Sequence, residues 1–175
     1  MDLKDKIRNI PDFPKKGIVF FDITTLIKDG EALRYSVDLM ADQYKGKKID
    51  AIMGAESRGF IFGAAMAYKL GVGFIPVRKP GKLPYKTCQV SYDLEYGSSS
   101  LEMHIDAIKK GENILVVDDL IATGGTAKAM AQIIEQMGGN VVGFSFLVEL
   151  SFLNPRKVLE AYDVQALVAY DSETM

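Results

Sequence analysis

The sequence is short of the features that most often announce a chemistry. Of its 175 residues one is cysteine, Cys88, and one is histidine, His104. A single thiol cannot form an internal disulfide or a cysteine-rich metal site, and it fits a reducing compartment. Neither sign of charge is in excess: 21 Lys and Arg against 23 Asp and Glu leave a net charge of -2. That argues against a nucleic-acid or membrane-surface protein, which needs a clear basic surplus. Uncharged runs reach only roughly a dozen residues, short of a membrane helix. The start, MDLKDKIRNIPDF, is charged and has no apolar signal core. The expected location is the cytoplasm.

The composition that remains is ordinary for a globular chain, with 48% hydrophobic and 25% charged residues. No repeat, low-complexity tract or linker divides it, so residues 1–175 are expected to form a single domain. An amphipathic start (Leu3, Ile7, Ile10) precedes a Pro/Gly-broken stretch, PDFPKKGIVFFDITTLIKDG. The spacing of Leu33, Val37, Met40 and Ala41 predicts a helix near 31–45. IDAIMGA reads as a buried strand, with Ser57 as cap of a helix that ends at Gly71. VGFIPVRKPG is a second strand running into a basic loop. Residues 80–104 alternate weakly and read as two extended arms around a mobile loop. ILVVDD, NVVGFSFLVEL and VQALVAY are further strands, and TAKAMAQIIEQMGG is a helix. Strands alternate with helices and the central strands are continuously apolar. The fold class is therefore α/β, a mostly parallel sheet with helices on both faces. Ligands of such sheets bind at the carboxyl ends of the strands.

One segment sits at such an end. In ILVVDDLIATGGTAKAM, residues 114–130, an apolar strand reaches two acids, Asp118 and Asp119, and then a Thr-Gly-Gly-Thr turn. Backbone amides at the start of the next helix can point at a phosphate, helped by the helix dipole. Gly124 and Gly125 permit close approach and unusual dihedrals, and Thr123 and Thr126 add hydroxyl donors. Neither G-x-x-x-x-G-K-[ST] nor G-x-G-x-x-G occurs here, so the phosphate is not gripped as in the common nucleotide loops. The acids suit sugar hydroxyls and, through water, Mg2+. The ligand this combination describes is a ribose 5-phosphate.

At these residues the sequence resembles the type I phosphoribosyltransferases. PDFPKKGIVFFDIT, GAESRGFIFG, VRKPGKLP, SYDLEYG and VVDDLIATGGT stand in the order and approximate spacing of the adenine-using branch of that family, from about Ile10 to Leu150. The resemblance implies the type I fold, with a parallel core, a small N-terminal hood over the base (about residues 1–35) and a flexible catalytic loop. It implies a Mg2+-dependent reaction of adenine with phosphoribosyl pyrophosphate (PRPP) that gives AMP and pyrophosphate, in a homodimer.

It also implies roles for residues. Ala122, Thr123, Gly124, Gly125 and Thr126 would hold the 5-phosphate, and Asp118 and Asp119 the ribose. Glu56, Ser57 and Arg58 would meet pyrophosphate around a non-proline cis peptide at Glu56–Ser57, joined by Lys79 and Lys82 from the basic loop. Val19, Phe20 and the Phe21 backbone would hold adenine, with Glu95 reaching its five-membered ring as the catalytic carboxylate. Tyr96 and His104 are possible further contacts. Mg2+ would be held by substrate and water rather than by a dedicated protein cluster. Relatives can carry basic residues where this chain has Phe21 and Pro80. Two alternatives stay open: the same chemistry on another purine base, and a PRPP-binding regulator without catalysis.

Overall fold

The computed structural model describes residues 1–94 and 97–173. In chain order the elements are β1 (Arg8–Ile10), β2 (Phe20–Asp22), α1 (Thr24–Lys28), α2 (Gly30–Asp42), β3 (Ala51–Ala55), α3 (Arg58–Leu70), β4 (Gly73–Val77), β5 (Thr87–Asp93), β6 (Ser98–His104), β7 (Asn113–Ile121), α4 (Gly125–Gln136), β8 (Asn140–Leu150), α5 (Pro155–Val158) and β9 (Val164–Tyr170). Five strands form one sheet in the order β4-β3-β7-β8-β9, and every pairing in it is parallel.

The apolar run of β7 explains why the sheet is covered on both sides. Successive side chains point to opposite faces. Ile114 and Val116 enter one core, with Met130, Ile134 and Phe144. Leu115 and Val117 enter the other, with Met40, Phe62 and Met66. Thus α4 covers one face and α2 and α3 the other, as the sequence pattern predicts. The helix expected at 31–45 is α2, whose N-cap Asp29 accepts from the amides of Glu31 and Ala32. Val37, Met40 and Ala41 are buried on it.

Two local expectations are corrected. Ser57 makes no capping hydrogen bond at the start of α3. The paired aspartates do not end their strand, because β7 runs on to Ile121. The partner strand stops first: β3 pairs with β7 only as far as Val117, while β8 continues alongside. Asp118 and Asp119 therefore lie where β7 outruns β3.

The N-terminal β1–β2 pair forms a small antiparallel sheet. Its Arg8 Nη2 lies 2.6 Å from Asp22 Oδ2. Hydrogen bonds from Thr24 and then Arg8 pull the Asp22 carboxyl down to about 2. Phe21 is buried and its ring stacks on Tyr170 of β9 with centroids 3.8 Å apart. The two arms read at 80–104 are a β5–β6 hairpin paired from Thr87↔His104 to Asp93↔Ser98. Val90, Leu101 and Met103 carry it into the α4-side core. A closing movement of the whole segment would pull these side chains out of that core, so the arms are anchored rather than free. No helix among the described residues is long and apolar enough to cross a membrane.

The glycines of GFIFG (residues 59–63) settle the packing of α3 on the sheet. An ideal Cβ on Gly63 would stand 2.6 Å from Phe74 Cε2, and one on Gly54 of β3 3.0 Å from the same atom. The Phe74 ring fills the notch left by the two missing side chains. Gly63→Ala is expected to cost about 1–3 kcal/mol by overpacking. In a double-mutant cycle with Phe74→Leu, measured by urea unfolding, the two changes should be strongly non-additive. Additive costs would mean that the notch does not govern this contact.

Candidate active site

The carboxyl ends of β3, β4 and β7 open onto one cleft of about 430 Å³. The turn from β3 into α3 delivers Glu56, Ser57 and Arg58; the segment after β4 delivers Lys79; β7 delivers Asp118 and Asp119. A smaller cavity of about 120 Å³ adjoins it, lined by Ala122, Thr123, Gly124 and Thr126. Asp118, Leu120 and Thr126 line both cavities.

The small cavity is a turn followed by a helix start. Gly124 adopts φ +91°, and no side chain caps α4. The first amides of α4 are therefore available to an anion. Gly124 is needed twice over, for its dihedral and for its contacts. A Cβ there would lie 3.2 Å from the Pro155 carbonyl oxygen and 3.2 Å from Val158 Cβ on α5. That helix is in turn fixed by Arg156, which donates to both oxygens of buried Glu149 and to the Val164 carbonyl. Of the two glycines that permit unusual dihedrals only Gly124 uses one; Gly125 is an ordinary helical residue.

In the larger cleft the two aspartates are held differently. Asp119 Oδ2 accepts a 2.5 Å hydrogen bond from Arg58 Nε. That bond raises the Arg58 pKa further. Among the described residues Asp118 has no cationic partner in hydrogen-bond contact. Its Oδ1 accepts the Asp119 amide at 2.9 Å. Its carboxyl is pressed against α3, so that a Cβ on Gly59 would stand 2.6 Å from Oδ1. Burial first, and the Asp119 charge next, raise its pKa well above the ordinary carboxylate range. Glu56 is occupied within the protein: its Oε1 accepts the Lys79 amide at 2.8 Å and faces Arg78 Nε at 3.3 Å. The Lys79 amide is the main cause of its lowered pKa. What Glu56 offers an anion is backbone, and the Glu56–Ser57 peptide is cis, as expected.

Other expected residues stand apart from these cavities. Lys82 is exposed, and its carbonyl accepts from Arg78 Nη1 at 3.4 Å. Phe20 meets Phe13 edge to face at 5.2 Å, within the N-terminal sheet region. Val19 is half-buried beside it, packed against the α2–α3 core. His104 closes β6 and faces Tyr85 with ring centroids 6.1 Å apart. Glu95 and Tyr96 lie outside the described residues. Among the described residues no group of three or more His, Cys, Asp or Glu is placed to hold a metal ion. Tyr92, which lines the cleft, and Gly59, which backs Asp118, were given no site role by the sequence reading. The alternation of β5 puts Tyr92 on the same face as buried Val90, which was the available signal.

Residues 24–166 match the family model described as phosphoribosyl transferase domain. The chain is 62% identical over 170 residues to the adenine phosphoribosyltransferase of Brachyspira hyodysenteriae, covering 97% of this chain and 100% of that one. It is also similar to the crystal structure of adenine phosphoribosyltransferase from Thermoanaerobacter pseudethanolicus, with a TM-score of 0.93 and 53% identity over 96% of this chain and 98% of that one. The Saccharomyces cerevisiae enzyme, complexed with an imino-altritol bisphosphate and adenine, gives a TM-score of 0.88 at 40% identity, covering 94% and 95% of the two chains.

The raised pKa of Asp118 makes a stability prediction with a definite sign. The folded chain holds the Asp118 proton more tightly than the unfolded chain does. Its stabilisation is complete below the ordinary carboxylate pKa and is lost as pH rises through the elevated one. Ionised Asp118 is then a burden on the fold. Asp118→Asn, which can still accept the Asp119 amide, should stabilise the ligand-free protein by about 1 kcal/mol near pH 7.5 and by almost nothing near pH 4. Urea unfolding at both pH values checks this.

Proposed function

The chain belongs to the phosphoribosyltransferase family, and from that membership we propose how its cleft divides the work. The reaction is transfer of the 5-phosphoribosyl group of PRPP to adenine, giving AMP and pyrophosphate. The observation that carries the assignment of residues is the junction of the two cavities at Asp118 and Thr126. A small amide-lined cradle, two carboxylates and a basic cleft follow one another in the order of 5-phosphate, ribose and pyrophosphate in the substrate.

In this reading Ala122 to Thr126 hold the 5-phosphate by backbone amides and threonine hydroxyls. Asp118 and Asp119 accept hydrogen bonds from the ribose hydroxyls. Their negative charge also favours the cationic character that develops on the sugar as the anomeric bond to pyrophosphate breaks. Arg58 and Lys79 stabilise the charge that accumulates on the leaving pyrophosphate, with the Glu56–Ser57 backbone beside them. Lys82 joins only if its loop turns inward. Mg2+ would be held near Asp118 and Asp119 through substrate and water rather than by a protein cluster, and would supply further neutralisation of that charge. Residues 1–35 form the hood, where Val19, Phe20 and the Phe21 backbone meet the adenine edge. Glu95 orients the purine for attack, an assignment that rests on the SYDLEYG resemblance. Positioning and electrostatics do most of the work, and exclusion of water protects the sugar cation from hydrolysis. Exposed Phe13 and Ile18 in the N-terminal segment favour a homodimer, and the lone thiol favours a cytoplasmic location.

Incubation of the protein with PRPP, Mg2+ and single purine bases, followed by chromatography, tests the reaction. AMP from adenine alone is expected, and none when Mg2+ is chelated. Product from an oxopurine instead would leave the fold and reverse the choice of base; PRPP binding without turnover would favour the regulator. Gly59→Ala tests the ribose site. The added methyl pushes on Asp118 Oδ1, so KM for PRPP should rise by about tenfold, the effect of losing roughly 1.4 kcal/mol of binding. An unchanged KM would detach Asp118 from the ribose.

A further inference from the structure

Tyr92 joins the β5–β6 hairpin to the first turn of α4 by a polar contact, beside the apolar packing already described. It lies on β5, opposite Ser99 of β6, and its ring packs against the α4-side core. Its side chain also forms a wall of the larger cleft. Its Oη lies 3.2 Å from Oγ1 of Thr126, the second residue of α4 and a member of the small cavity. Its Cδ2 would be 3.6 Å from a Cβ on Gly125, ordinary contact with the same turn. The hairpin has a second tether at its other end. There Arg78 and Glu102 exchange backbone hydrogen bonds of 3.0 and 2.7 Å, next to Lys79. The β5–β6 hairpin thus spans the cleft from the basic segment to the helix start.

We infer that Tyr92 is a positioning residue that couples the hairpin to the 5-phosphate cradle through the Thr126 hydroxyl. This rests on the assignment of Ala122 to Thr126 to the phosphate. Between two hydroxyls either oxygen can donate, and nothing in the ligand-free geometry selects one sense. A phosphate in the cradle does select it. A phosphate dianion only accepts, so the Thr126 hydrogen turns to it, and Tyr92 must then donate to Thr126. The resulting chain, Tyr92 to Thr126 to phosphate, is polarised in one direction, and each bond strengthens the next. Phosphate binding thereby fixes the hairpin, and the hairpin fixes the Thr126 hydroxyl toward the phosphate.

The experiment is a double-mutant cycle of Tyr92→Phe and Thr126→Val in the full chain. Dissociation constants for ribose 5-phosphate and, separately, pyrophosphate are measured by calorimetry below both unfolding midpoints. Tyr92→Phe keeps the ring and removes one oxygen. It is expected to weaken ribose 5-phosphate about fivefold, the worth of one hydrogen bond, and to leave pyrophosphate unchanged. KM for PRPP should rise by a similar factor, with KM for adenine unmoved. In the Thr126→Val background Tyr92→Phe should have no further effect on ribose 5-phosphate. The inference is overturned if Tyr92→Phe leaves ribose 5-phosphate binding intact, if it weakens both ligands alike, or if its effect persists without the Thr126 hydroxyl. If Thr126→Val alone leaves ribose 5-phosphate affinity unchanged, the assignment of the cradle falls, and the inference with it.

Discussion

Everything in the cleft depends on keeping two adjacent carboxylates near the carboxyl end of the central strand of a buried sheet. Side by side, Asp118 and Asp119 repel each other, and a low-dielectric surrounding strengthens the repulsion. The fold solves this unevenly. Asp119 receives Arg58 from the first turn of α3. Asp118 receives only an amide and the space left by Gly59. The cation and the space come from adjacent residues, Arg58 and Gly59, at the start of α3. The position of α3 on the sheet, which Gly54 and Gly63 set through Phe74, therefore also sets the surroundings of both carboxylates.

The strand lengths turn this local arrangement into a site. Because β3 ends its pairing at Val117 of β7, the next residues of β7 have a neighbour on one side only. The opened side becomes the larger cleft, and the turn after Ile121 becomes the smaller cavity. A β3 longer by two residues would cover the aspartates with backbone. The cradle is supported from behind by α5 at Gly124, and α5 by the Arg156–Glu149 pair. Side chains remote from the ligand thus hold the loop that would meet it.

Much of this was legible in the sequence, and the rest was hidden for identifiable reasons. The unbroken apolar run before Asp118 announced a strand buried on both faces, and Leu33, Val37, Met40 and Ala41 announced α2. The order of five short motifs announced the site. Strand ends were harder to read, since Leu120 and Ile121 are as compatible with a turn as with a strand, and only the neighbouring β8 decides between them. Ser57 has the right residue type for a cap and the wrong backbone for one, at φ -110° and ψ -40°. The anchoring of the hairpin came from tertiary packing of Val90, Leu101 and Met103, which weak alternation in a Gly- and Ser-rich stretch concealed. Gly59 looked like a helix-packing glycine, and its real neighbour is Asp118, far away in sequence.

The Arg58–Asp119 pair makes the ligand-free cleft its own counter-ion. A guest that offers only an anion can draw Arg58 away, but it leaves Asp119 with no match; a guest that offers only hydroxyls does the reverse. A molecule that brings both groups, at the separation set by a single sugar ring, replaces each partner of the broken pair at once. On the proposed division of the cleft, it would recognise the joining of two chemistries in one compound, and free phosphates and free sugars, however abundant, would be poor decoys for it.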